Sequence, residues 1–292
     1  MHGVGESTAA ITIVNALPTG VGCAVGIDLR VRAEVDLHPA GSHGKWDVRI
    51  DAETRTPLVI ESVGRALRQF APGSSGSGAL AVRSDVPPAR GLKSSSAVSS
   101  AVILAIARAT DARADPADVA RLSAEVSRSV GVSATGAFDD ALAGLVPGVL
   151  VTDNAQTELL QQFPMPAELE VALYLPPGTH RPSPEWAAAF RAESERGRSA
   201  ATRALRGDWT GAMRENTELV ERIIGYDYEP LRTELLRHGA VASGVSGMGP
   251  ALVAIAPRSR VRELLEVLDP APGDRRAVAF STGLAAEGTG AP

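Results

Sequence analysis

The chain has 292 residues, 44% of them hydrophobic, and its 29 basic and 34 acidic side chains leave a formal net charge of −5. That length supports two compact lobes with full cores, and interspersed charge without a basic stripe excludes nucleic acid and anionic membranes as partners. One cysteine, Cys23, excludes an internal disulfide; with no run of about 18 apolar residues and no basic-then-apolar leader, a cytoplasmic protein is expected.

An apolar segment from Ala9 to Val14 leads into Asn15, Pro18, Thr19, Gly20, Gly22, Gly26 and Asp28. Proline and three glycines predict a loop here that approaches something closely, or a plain glycine-rich hairpin connection. Asn15, Thr19 and Asp28 are its polar side chains, of the kinds that bind hydroxyls. From Leu29 to Leu37 apolar and charged residues alternate with a period of two, which predicts a strand with one wet face. Val48 and Ile50 suggest its partner strand across a turn at Gly41 to Lys45. Thr56 to Phe70 carries Val59, Val63, Leu67 and Phe70 at helical spacing, and Pro72 to Gly78 reads as a flexible loop.

Between a strand at Leu80 to Val82 and a small-residue helix from about Ala97 to Ala109 lie Pro87, Pro88, Ala89, Arg90, Gly91, Leu92, Lys93, Ser94, Ser95, Ser96 and Ala97. A helix N-terminus offers free N–H groups and partial positive charge to an anion. Gly91 lets backbone come close, Lys93 adds a full charge, and Ser94 to Ser96 can cap the helix, bond phosphate oxygens or reach a magnesium ion. The same serines would equally serve a bare helix cap. Lysine occurs elsewhere only at Lys45, so Lys93 stands out.

Asp115 and Pro116 open a further helix to about Ser129. The turn from Gly131 to Ala141 holds Asp139 and Asp140, which either use the dipole of a helix start or supply a general base. Pro147-Gly148 to Asp153 predicts the hinge between an N-terminal lobe, residues 1–150, and a C-terminal lobe, residues 151–292. The second lobe is expected to contain a strand at Glu170 to Leu175, a proline-rich crossover from Pro176 to Pro184, and helices near Glu185 to Arg206, Trp209 to Ile224 and Glu229 to Arg237. Strands at Ala240 to Val245 and Ala251 to Ala256, a helix from about Arg258 to Leu268 and a last strand at Ala277 to Ser281 complete a ferredoxin-like α+β pattern. Ser243 to Pro250 carries Gly244, Ser246, Gly247 and Gly249 and predicts a second nest of backbone amides. The tail from Ala285 is expected to be disordered. The five histidines show no metal-ligand spacing.

Together these motifs resemble the GHMP kinase superfamily, whose ATP loop PxxxGLGSSAA matches Pro87, Gly91, Leu92, Ser94, Ser95 and Ala97. Within it the archaeal-type shikimate kinases are most similar: Val14 to Leu29, Gly91 to Ala97, Thr135 to Ala141 and Gly244 to Ala251 match four of that family's motifs in order. The resemblance implies a two-lobed α+β fold, an N-terminal lobe like domain 2 of ribosomal protein S5 and a ferredoxin-like C-terminal lobe, with the active site between them. It implies ATP and magnesium as cofactors, shikimate as substrate, a monomer or homodimer, and phosphorylation of the 3-hydroxyl on the route to chorismate and the aromatic amino acids. Pro87 through Ala97 would bind ATP, with Lys93 at the phosphates. Asp139 would be the base or orienting charge, Asn15, Thr19 and Asp28 would contact substrate, and Ser95 or Glu125 would hold the metal. An arginine should meet the shikimate carboxylate. A homoserine- or mevalonate-type kinase and a non-catalytic ligand-binding relative are the competing implications.

Overall fold

In the computed structural model, which describes residues 1–41, 44–177, 183–268 and 278–285, the N-terminal lobe is built on one long strand. Strands β1 (His2–Val14) and β2 (Val21–Gly41) pair antiparallel along almost their whole length. Then follow β3 (Trp46–Ile50), α1 (Pro57–Phe70), β4 (Ser75–Ser84), α2 (Ser94–Ala109), α3 (Pro116–Ser129), α4 (Phe138–Ala143), β5 (Val149–Asp153) and β6 (Glu158–Phe163). On its other edge β2 pairs with β4 through residues 31–41 and with β5 through residues 21–25. A strand of 21 residues thus spans two neighbours and makes a six-stranded sheet.

Sequence explains the helices that cover this sheet. Thr56 caps α1 by accepting from Val59 N at 3.3 Å, and Pro57 occupies its first turn; Asp115 and Pro116 do the same for α3. α2 is buried on nearly every side because it carries only Ser, Ala, Val, Ile and Leu for its first fourteen residues. Its Ser99 hydroxyl meets Ser62 of α1 at 3.0 Å, so a polar atom in the core is satisfied. β1 lies directly against α2. A methyl group on Gly3 would fall 2.8 Å from Ala109 Cβ, and one on Gly5 would collide with the α2 backbone at Ala101.

The second lobe runs β7 (Leu169–Leu175), α5 (Pro184–Ala192), α6 (Ser194–Leu205), α7 (Trp209–Ile224), α8 (Glu229–Arg237), β8 (Ala242–Val245), β9 (Leu252–Pro257), α9 (Arg258–Leu268) and β10 (Val278–Gly283). Its antiparallel sheet has the order β10-β7-β9-β8, the split βαβ pattern expected of a ferredoxin-like lobe.

Several expectations need correction. The loop expected over residues 15–28 ends at Gly20, because Gly22 and Gly26 lie inside β2, where closely packed neighbours take the room of a side chain. β3 pairs parallel with β4 and not with β2. The loop expected at 72–78 is strand from Ser75 onward. The hinge expected near residue 150 cuts through β5, which is paired on both sides within the first sheet; the change of sheet comes between β6 and β7. β6 was not expected at all, being exposed on both faces. The helix expected over 185–206 breaks at Glu193. Parts of the expected turn at 41–45 and crossover at 176–184, His43, His180 and the tail beyond 285 lie outside the described residues.

The glycine contacts set a test of the β1–α2 seam. Gly5→Ala should lower Tm by about 2–5 °C, since overpacking costs about 1–3 kcal/mol. Gly64→Ala, which meets only the flexible end of Arg68 within α1, should be neutral or stabilising by about 0.5–1 kcal/mol. Thermal melts of the two variants beside wild type check both signs.

Candidate active site

Past β4, Pro87 and Pro88 end the ladder, and the chain turns through three left-handed residues, Ala89 (φ 56), Gly91 (φ 83) and Lys93 (φ 63). α2 then begins at Ser94, three residues earlier than its sequence pattern suggests. Ser94, Ser95 and Ser96 therefore form the first turn rather than its cap. Lys93 holds the cap position and makes no side-chain cap hydrogen bond, so the first-turn N–H groups are left to face an anion. Only glycine fits at 91, where a methyl would fall 2.6 Å from Ser246 O and 3.0 Å from Gly249 O.

This loop is stitched to its surroundings through backbone. Ala10 N donates to Leu92 O at 3.4 Å, and Ala251 N donates to Arg90 O at 3.2 Å. The Arg90 guanidinium donates to Pro176 O, so that side chain braces the two lobes. Ala97 N donates to Lys93 O, closing the first turn.

The acidic turn arrives from the other side. Gly136 (φ 86) and Ala137 (φ 56) reverse the chain so that Asp139 and Asp140 sit in the first turn of α4, both buried. Asp139 N donates to Asn154 Oδ1 at 3.0 Å. On β2, Gly22 leaves the space: a methyl there would collide with Asp139 Oδ2 and lie 2.6 Å from Asn154 Nδ2. Lys93 Nζ lies 3.2 Å from Asp140 Oδ2, with side-chain exposures of 15% and 9%. Burial, and next the charge of Asp140, push the Asp139 carboxyl up to about 7, while Lys93 and Asn154 restrain the rise. Burial raises Asp140 as well, against the pull of Lys93.

The third wall is the turn after β8. Gly244 belongs to β8 and packs on Thr217 and Met213 of α7, so the expected nest shrinks to residues 246–249. Gly247 (φ 64) and Gly249 (φ 76) make the turn, and a methyl on Gly247 would fall 2.8 Å from Lys93 Nζ. The Ser246 hydroxyl is fully buried; it accepts from Thr12 N at 3.1 Å and donates to Gly91 O at 2.7 Å. Tyr226 and Tyr228 stack with ring centroids 5.2 Å apart, and their hydroxyls donate to Met248 O and Pro250 O, each at 3.0 Å.

The structure thus brings Lys93, Asp139, Asp140, Gly91, Ser246 and Gly247 together. Asn15 joins them, its Nδ2 donating to Gly247 O at 2.9 Å. Thr19 lies in the turn beside them, where its Oγ1 accepts from Val21 N at 3.1 Å. Asp28 does not join them. It is exposed, paired with Arg30, and six residues along β2 from Gly22, about 20 Å away at strand rise. Glu125 is engaged by Arg65 of α1 at 2.8 Å and half exposed, and so is drawn off the site. Sequence reasoning missed Thr12, Asn154, Asn216, Tyr226 and Tyr228. Only the tyrosines left a signal: two of three in the chain fall just past the Gly225 that ends α7.

Residues 58–148 match the family described as GHMP kinases N terminal domain. The shikimate kinase of Pyrococcus furiosus is 35% identical over 255 residues, covering 87% of this chain and 92% of that one. The shikimate kinase of Halobacterium salinarum is 34% identical over 266 residues, covering 90% and 92%. Among solved structures, the mevalonate kinase of Methanococcus jannaschii superposes with a TM-score of 0.69 at 13% identity, covering 97% and 98%. The homoserine kinase of Cytophaga hutchinsonii gives 0.69 at 15%, covering 96% and 95%. Those two likenesses bear on the fold.

A carboxyl whose folded pKa is raised favours the folded chain below its ordinary value and loses that advantage as pH rises through the folded value, about 7 for Asp139. Asp139→Asn removes the buried charge. The Tm of this variant minus that of wild type should therefore grow from about pH 4 to about pH 7 and level off above; a difference independent of pH would show that Asp139 ionises freely.

Proposed function

The chain belongs to the archaeal-type shikimate kinases of the GHMP kinase superfamily, and on that premise we propose that it transfers the γ-phosphoryl group of ATP to the 3-hydroxyl of shikimate. The product would be shikimate 3-phosphate, on the route to chorismate and the aromatic amino acids. The observation that carries the reading is the meeting of the serine-glycine loop with the acidic turn, Lys93 Nζ standing 3.2 Å from Asp140 Oδ2 beside the buried Asp139.

In this reading the N-terminus of α2 and the Gly91 loop hold the nucleotide phosphates. Asp139 faces the acceptor hydroxyl. The hydroxyl oxygen bonds to the γ phosphorus as the bond to the β–γ bridging oxygen breaks, ADP leaves, and the hydroxyl proton passes to Asp139. Its raised pKa makes it a competent proton acceptor near neutral pH. Lys93 offsets the two carboxylates and places positive charge next to the loop. Positioning and charge carry most of such a transfer.

Among the described residues no group of three or more His, Cys, Asp or Glu could hold a metal. The hydroxyl of Ser95 at the helix start and the buried Oδ1 of Asp140, which has no partner among the described residues, are hard oxygen donors of the kind magnesium takes alongside phosphate oxygens. Magnesium, when bound, would neutralise charge on the β and γ oxygens. A cytoplasmic location belongs to the same proposal, which the single buried Cys23 suits.

A coupled ADP-release assay with magnesium and ATP should respond to shikimate and stay silent with homoserine and mevalonate. Release with one of the latter and not with shikimate would keep the fold and overturn the acceptor. Asp139→Asn should lower kcat by about 10²- to 10⁴-fold with little change in the KM for ATP. In wild type, kcat/KM should rise with pH through about 7, and that limb should vanish in the variant.

A further inference from the structure

Asn15 was expected to offer its amide to substrate, but the structure uses that amide internally. Its Nδ2 serves Gly247 O at 2.9 Å and approaches Asn216 Oδ1 at 3.3 Å, and its backbone N–H donates to the same Oδ1 at 2.8 Å. A backbone N–H requires an acceptor, which fixes the orientation of the Asn216 amide: Oδ1 faces Asn15 and Nδ2 is the remaining arm. Asn216 is 2% exposed on α7, and its Nδ2 has no hydrogen-bond partner among the described residues.

Another polar atom beside the same turn shares that state: Thr12 Oγ1 is buried and without a partner among the described residues. A methyl on Gly247 would fall 3.7 Å from Thr12 Oγ1 and 2.8 Å from Lys93 Nζ, so these two groups flank the turn that Asn15 ties to Asn216. Buried polar groups are almost always paired, and leaving one unpaired is costly. A buried donor and a buried oxygen left without partners beside one turn fit the wall of a pocket for a polyhydroxylated guest.

We propose that Asn216 is a specificity-determining residue whose Nδ2 donates to a non-reacting ring hydroxyl of the acceptor, with Asn15 as the strut that holds the amide in place. This rests on the shikimate reading above. A site built to bond a hydroxyl rejects analogues lacking it, because its own polar group is then left unpaired.

The test pairs residue with hydroxyl. Wild type, Asn216→Ala and Asn216→Asp are assayed with shikimate, 4-deoxyshikimate and 5-deoxyshikimate; should the Ala variant fold poorly, the Asp variant keeps the acceptor for Asn15 and replaces the amide donor with a carboxyl oxygen. The KM for shikimate should rise about 10- to 100-fold in the variants while the KM for ATP stays within about twofold. With one of the two deoxy analogues, wild type and variants should become nearly equal, the signature of a direct pair. Equal losses with all three acceptors, a matching rise in the KM for ATP, or unchanged kinetics would each overturn the proposal. If wild type ignores shikimate altogether, the functional reading fails instead. The same cycle on the deoxy forms of whichever acceptor the panel identifies then decides the role of Asn216.

Discussion

Two adjacent carboxylates buried against a single ammonium set the terms for the rest of this molecule. Asp139 and Asp140 occupy one helical turn with almost no water, and Lys93 is the cation 3.2 Å from one of them. One positive charge cannot hold two buried negative charges at their ordinary acidity, so a proton is retained close to neutral pH. The surrounding structure sustains that imbalance. Lys93 and Ala137 both hold left-handed backbone that side chains avoid, which persists only where packing over-determines it. Gly22 and Gly247 supply the room, being the positions where any side chain would strike Asp139 or Lys93.

That packing traces back to β2. Because this strand spans both β4 and β5, it fixes the spacing between the end of β4, which delivers the loop before α2, and the end of β5, which delivers Asn154 to the acidic turn. β1, seated on α2 through Gly3 and Gly5, carries Thr12 and Asn15 to the turn after β8. The second lobe reaches the site by way of α7 and that turn, with the Tyr226–Tyr228 stack holding two of the turn carbonyls.

Much of this was legible in sequence where local chemistry dominates. Asp115-Pro116 announced one helix start, the apolar spacing from Thr56 to Phe70 announced another helix, and the period-two run from Leu29 to Leu37 announced the outer half of β2. The order of strands and helices past residue 169 announced the ferredoxin-like lobe. Failures came where tertiary contacts override local preference. Gly22 and Gly26 read as loop because glycine weakens strands, yet here they make room for Asp139 and for the Ala143 carbonyl. Ser94 to Ser96 read as a cap, but Lys93 takes that position in a left-handed turn. Asp28 looked like a substrate contact because it is a polar side chain in the glycine-rich segment, and strand geometry carries it away. Asn154 and Asn216 gave no sign, since a lone asparagine in a strand end or helix acquires meaning only from what lies across the fold.

The Ser246 hydroxyl, caught between Thr12 N and Gly91 O, joins three segments more than 75 positions apart in the chain through one oxygen. The loop before α2 and the turn after β8 are therefore not independent parts. Recombination between relatives that exchanged the C-terminal lobe alone would bring a foreign turn against a resident loop. The segments around Thr12, Gly91 and Ser246 would have to be inherited together for the shared hydroxyl to keep both of its partners.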